Sequence, residues 1–105
     1  MSEVNLTVHT FRMGTDKEAS LKPLEEAAEV FGAWQVVNDC ATDAAILRVC
    51  KCEQYHDDCG IKTVMADEIA DCIQACVNLA VRYGIDLQAA IERCEELNRE
   101  RGRYE

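Results

Sequence analysis

The residues best placed to do chemistry are five acids in two short runs, Glu25, Glu26 and Glu29 in one and Glu68 and Asp71 in the other. At about 100° per residue, Glu26 lies beside Ala33 and Val37, at the edge of an arc formed by Leu21, Leu24, Ala27, Ala28, Val30, Phe31, Trp34 and Val37. Glu68 is placed more tellingly. It falls inside the apolar set Met65, Ile69, Cys72, Ile73, Ala75, Cys76, Leu79 and Ala80, with Asp71, Asn78 and Arg82 along the margin. A carboxylate on a buried face costs several kcal/mol unless a cation or donors compensate it. A divalent metal is the simplest compensation, and oxygen-only donors favour Mg²⁺ or Mn²⁺ over zinc. The plainer alternative is a solvated acidic face, with Glu68 paired to Arg82 or Lys62.

Two further groups carry polar chemistry. On the last helical stretch, Asn98 and Arg101 sit among Leu87, Ala90, Ile91, Cys94 and Leu97, where an amide and a guanidinium suit an anionic ligand carried by metal ions. Cys50, Cys52, His56 and Cys59 offer four zinc-type ligands within ten residues. On a helix only Cys52, His56 and Cys59 converge, so buried or idle thiols are the favoured reading. His9 has no partner that would make it catalytic.

The elements that must position these groups are mainly helices. A first is expected from about Ser20, an N-cap, with Pro23 in its opening turn, to Asn38-Asp39. A second spans roughly 42 to 58. A third runs from about Ile61 to Tyr83, stopped by Gly84, and a fourth opens at Asp86 and continues to the end of LNRERGRY. Residues 4 to 12 are open between an extended segment and a short helix. Together these predict a single all-α domain over residues 1–105, a four-helix bundle completed by oligomerisation.

Composition narrows the partners. With 105 residues, 49% hydrophobic, and 20 acids against 11 bases, the formal charge is -9, which disfavours nucleic acid and anionic membranes as partners. Seven cysteines, no signal-like N-terminal segment and no apolar run of about 20 residues lead us to expect a cytoplasmic, non-membrane protein.

Glu25-Glu26-x-x-Glu29 followed by Glu68-x-x-Asp71 resembles the EExxE…ExxD signature of the MazG-like, all-α nucleotide pyrophosphohydrolases, and ADEIADCIQACVNLAVRYGIDLQAAI resembles the helix, turn and helix that follow it. The likeness covers about residues 20 to 101. It implies Mg²⁺-dependent hydrolysis of nucleoside triphosphates between the α and β phosphates, giving a monophosphate and pyrophosphate. Carried over by position, Glu26, Glu29, Glu68 and Asp71 are the implied metal ligands, and Glu25 orients or deprotonates the attacking water. Asn78, Asn98 and Arg101 are the implied sugar or phosphate contacts, with Arg82 a further one. The stretch between Glu29 and Glu68 is longer than is usual in the family, and Cys94 stands where relatives often carry lysine. Trp34, mid-arc on its helix, is expected to pack in the core rather than against a base. Phosphoribosyl-ATP hydrolysis and a non-catalytic acidic interaction or metal-binding module remain the competing readings. The expected assembly of the pyrophosphohydrolase is a homodimer or tetramer.

Overall fold

The structure, a computed structural model, describes residues 2–42 and 60–104. Among them are three helices and no strand: α1 (Asp16–Thr42), α2 (Gly60–Arg82) and α3 (Leu87–Glu100). The helix expected over 42 to 58 and the Cys50, Cys52, His56 and Cys59 group lie outside the described residues, and so does the side chain of Lys62. The all-α class therefore holds; the four-helix count belongs to the expectation.

Helix α1 starts four residues earlier than its sequence suggests, on a reciprocal cap. The Glu18 amide donates to Thr15 Oγ1 at 3.2 Å, and the Thr15 amide donates to Glu18 Oε2 at 3.4 Å. This is a capping box, a device that contributes about 0.5–2 kcal/mol. Pro23 consequently stands inside the helix instead of in its first turn. Helix α2 ends as expected. Gly84 takes φ of 65°, and the Ile85 amide reaches Ala80 O at 2.9 Å while the Gly84 amide reaches Val81 O at 3.1 Å. That six-to-one and five-to-two pair is a Schellman ending, open to glycine because its φ is left-handed.

Asp86 caps α3 by accepting from the Ala89 amide at 3.0 Å. Helix α3 does not continue to the chain end. Gly102 at φ 69° repeats the Schellman pattern, with the Arg103 amide on Asn98 O and the Gly102 amide on Arg99 O, both at 3.0 Å. A second glycine in the left-handed region stops the helix there.

Helices α1 and α2 run antiparallel and make nearly all of the interhelical contact. The start of α1 meets the end of α2 through Asp16 and Arg82, and the two middles meet at Glu26 and Glu68. The residues turned inward on α1 are Ala19, Pro23, Glu26, Val30, Ala33 and Val37, and on α2 Met65, Glu68, Cys72, Ala75, Leu79 and Arg82. Both sets alternate steps of three and four, the spacing of a coiled-coil seam. Among the described residues the buried apolar ones are all alanines, Ala19, Ala33, Ala75 and Ala80, whose small side chains let the helix axes approach, and the buried polar ones are Glu26 and Asn78.

The large apolar residues of α1 face elsewhere. Leu24 is 69% exposed, Phe31 57% and Trp34 47%, with Trp34 stacked on Phe31 at a centroid distance of 5.7 Å. The expectation that Trp34 packs in a core is thus not met within one chain: the alanine face won the seam and left the bulky face outside. Helix α3 has no buried residue and makes few contacts with the other helices.

Candidate metal centre and adjoining cavity

Glu26 from α1 and Glu68 and Asp71 from α2 bring carboxylate oxygens within 4.8 Å of one another. The seam spacing does this: Glu26 is an inward position, Glu68 is its counterpart on α2, and Asp71 follows at the adjacent solvent edge. Glu26 is 7% exposed, Glu68 half-buried and Asp71 exposed. The Oε2 atoms of both glutamates are buried and have no hydrogen-bond partner.

Among the described residues, the cation paired with Glu26 is Lys22, one turn before it. Its ammonium lies 3.2 Å from Glu26 Oε1 and 3.5 Å from Glu25 Oε2. The hydrogen bond and charge of Glu26 raise the Lys22 pKa above its ordinary value, with Glu25 adding to the effect. One ammonium serves Glu26 Oε1 and the exposed Glu25, and the two Oε2 atoms turned into the seam stay without a donor. Orphaned carboxylate oxygens held this close are what a hard cation satisfies and a hydrophobic core cannot.

Of the residues the family motif marks as metal ligands, the structure groups Glu26, Glu68 and Asp71. Glu29 is exposed and outside that group, and Glu25 is exposed on the rim, bound to Lys22. Arg82 does not pair with Glu68. It donates through Nε to Asp16 Oδ1 at 2.7 Å, through Nη2 to Gly14 O at 3.0 Å and through Nη1 to Met13 O.

Arg82 thereby closes a line of three side chains, Gln74, Asn78 and Arg82, spaced one turn apart on α2, which holds the segment preceding α1. Gln74 Nε2 donates to His9 O at 2.9 Å and to Asn78 Oδ1 at 2.9 Å, and the Phe11 amide donates to Asn78 Oδ1 at 3.1 Å. Residues 4 to 12 are thus neither strand nor helix. They form an irregular strap tied to α2.

Beneath the strap lies a cavity of about 390 Å³, between Phe11, Arg12 and Met13 on one side and Lys22, Ala75 and Asn78 on the other. Lys22 belongs to both places, lining the cavity and touching Glu26. Asn98, on α3, and Arg101, the residue capping its end, are the other expected ligand contacts and lie outside the cluster and the cavity lining. Asn98 is occupied locally, accepting from Arg103 Nη1 at 2.8 Å and donating to the Tyr104 hydroxyl at 3.4 Å.

Lys22, Gln74, Phe11 and Arg12 are not among the residues the sequence singles out. The i,i+4 spacing of Lys22 to Glu26 was a readable signal; the strap had none. Partial burial and the neighbouring Cys72 raise the Cys76 pKa above its ordinary value, the direction that disfavours the thiolate. No described helix is long and apolar enough to cross a membrane.

Compared with protein-family models, with curated proteins and with solved structures, the chain matches none.

Proposed function

We propose that this protein is a Mg²⁺-dependent pyrophosphohydrolase of nucleoside triphosphates, of the MazG-like type, producing a nucleoside monophosphate and pyrophosphate. The observation that carries the reading is the pair of orphaned, buried oxygens, Glu26 Oε2 and Glu68 Oε2, grouped with Asp71 across an antiparallel helix seam. These are the acids at which the EExxE and ExxD motifs meet. Their donor set fits Mg²⁺ or Mn²⁺, because it is all carboxylate oxygen and open to solvent at Asp71.

Glu26, Glu68 and Asp71 would hold the metal, with Glu29 joining from the next turn of α1. When bound, the metal supplies neutralisation of the polyphosphate, polarisation of the α-phosphorus and a water of lowered pKa. Glu25, exposed on the rim, accepts the proton of the attacking water at its carboxylate. Lys22 compensates Glu26 until a cation binds, and is then free to turn to the phosphates. Asn98 and Arg101 reach the substrate only through an assembly that brings α3 to the cluster.

The enzyme works as a homodimer or tetramer in this reading, since Leu21, Leu24, Phe31 and Trp34 on α1 and Ile91 and Leu97 on α3 are exposed within one chain. Sedimentation of wild type at a multiple of the chain mass, and of Leu24→Glu near the monomer mass, is the expected result. A monomeric wild type contradicts it.

The function is tested by incubating the protein with canonical, modified and phosphoribosyl nucleotides plus Mg²⁺ or Mn²⁺ and scoring pyrophosphate. Wild type should release it, with Glu68→Gln and Asp71→Asn silent. Preference for phosphoribosyl-ATP would assign the phosphoribosyl-ATP activity. Silence of wild type across the whole panel refutes the enzyme and leaves the metal-binding module.

A further inference from the structure

A chain with a formal charge of -9 has built a cavity without acids. Twenty Asp and Glu are available, yet none lines it, while three cations do: Arg12, Lys22 and Arg82. Arg82 is committed to Asp16 and the strap carbonyls and Lys22 is shared with Glu25 and Glu26, so Arg12 is the charge a ligand meets first, with Lys22 at the end nearest the acids. The remaining lining is mostly apolar, with Phe11, Met13, Ala75 and Val81 in it, and Thr10 and the buried Asn78 are its polar members. A volume of about 390 Å³ falls in the range of small-molecule sites, roughly 300–1,000 Å³.

The cavity also has an address. Ala75 is one helical turn from Asp71 and Lys22 one turn from Glu26, so about 5 Å of helix rise separates it from the acid cluster on both walls. A molecule with its phosphates at the cluster extends its other end into this space. The lining suits an end that is mostly apolar with a polar edge, joined to the phosphates near Lys22.

We infer that the cavity beneath the N-terminal strap receives the nucleoside of the substrate, with Phe11 packing on the base and Arg12 and Lys22 flanking the sugar–phosphate junction. The inference rests on the pyrophosphohydrolase reading and adds the substrate's orientation: phosphates toward Glu68, base toward the strap. The strap is then a wall of the site, held in place by Gln74, Asn78 and Arg82. A phosphate-only ligand uses the cluster and leaves the cavity empty.

The test is calorimetric titration, with Mg²⁺ present, of wild type, Phe11→Ala and Arg12→Gln against α,β-methylene nucleoside triphosphates and, in parallel, inorganic tripolyphosphate. Phe11 is 57% exposed, so its removal should leave the melting temperature near that of wild type. Wild type should bind the nucleotide analogues at least about tenfold more tightly than tripolyphosphate, and Phe11→Ala should lose about tenfold for the analogues alone, the worth of one base–aromatic stack. Arg12→Gln should lose less. If both variants bind the analogues as wild type does while wild type hydrolyses nucleotides, the cavity assignment fails and the function stands. If wild type neither binds an analogue nor hydrolyses a nucleotide, both fail.

Discussion

The α1–α2 seam contains two charged clusters, and they are finished differently. At one end Arg82, a half-buried cation on an inward position, has Asp16 and two backbone carbonyls for its donors. About four turns along the same stripe, Glu68 occupies the equivalent position with a buried oxygen that has no hydrogen-bond partner, facing Glu26 in the same condition. Both replace a hydrophobe in the core of a small protein, and both carry the desolvation cost of doing so. Asp16 at the start of α1 and the segment before it supply the counterparts of the arginine, whereas among the described residues the two glutamates have Lys22 at Glu26 Oε1 alone. One cluster is therefore architecture, complete as folded. The other keeps two buried oxygens without a hydrogen-bond partner.

The widest separation between the clusters should appear in activity. Glu68→Gln and Asp71→Asn each remove an anionic oxygen from the centre, and pyrophosphate release should fall roughly 100-fold or more, about 2.7 kcal/mol of barrier. Loss of the same size in Arg82→Met, with its fold intact, would erase the distinction.

Stability should separate them with opposite signs. Arg82→Met leaves the Met13 and Gly14 carbonyls without their donor and frees the strap, so unfolding by denaturant should show a loss of about 2–3 kcal/mol. Glu68→Gln, measured in EDTA, removes charge from a repelling pair and should be neutral or stabilising by about 1 kcal/mol. A metal-free Glu68→Gln that is markedly less stable than wild type would mean that the acids are already satisfied in the folded chain.

The smallest effect concerns Lys22. Its folded pKa is raised by Glu26, so its stabilising contribution is complete below the ordinary lysine pKa and disappears as pH climbs through the higher folded value. In EDTA the melting temperature of wild type should converge on that of Lys22→Met only at strongly alkaline pH. A gap between them that persists there would show that Lys22 acts through packing alone.

What the sequence made legible follows from where each signal is local. Glu68 stands out because its apolar neighbours at three- and four-residue steps are on its own helix, and Gly84 and Asp86 because caps are made within a turn. The start of α1 was obscured by Pro23, which draws the eye to Ser20, although Thr15-x-x-Glu18 carries the capping box. The inward face of α1 was harder still. Hydrophobicity points to Leu24, Phe31 and Trp34, but close approach of two helices selects Ala19 and Ala33, and the bulky stripe is left for another surface. The strap was not readable at all. Its hydrogen bonds go from backbone groups at residues 9 to 14 to side chains more than 60 positions away, and no local pattern encodes them.

The proposed divalent-cation site of Glu26, Glu68 and Asp71 is tested directly by Mn²⁺ binding followed by electron paramagnetic resonance. Wild type and Arg82→Met should hold at least one Mn²⁺ per chain, displaced by excess Mg²⁺, and Glu68→Gln should lose it. Wild type binding no more Mn²⁺ than Glu68→Gln would contradict the claim.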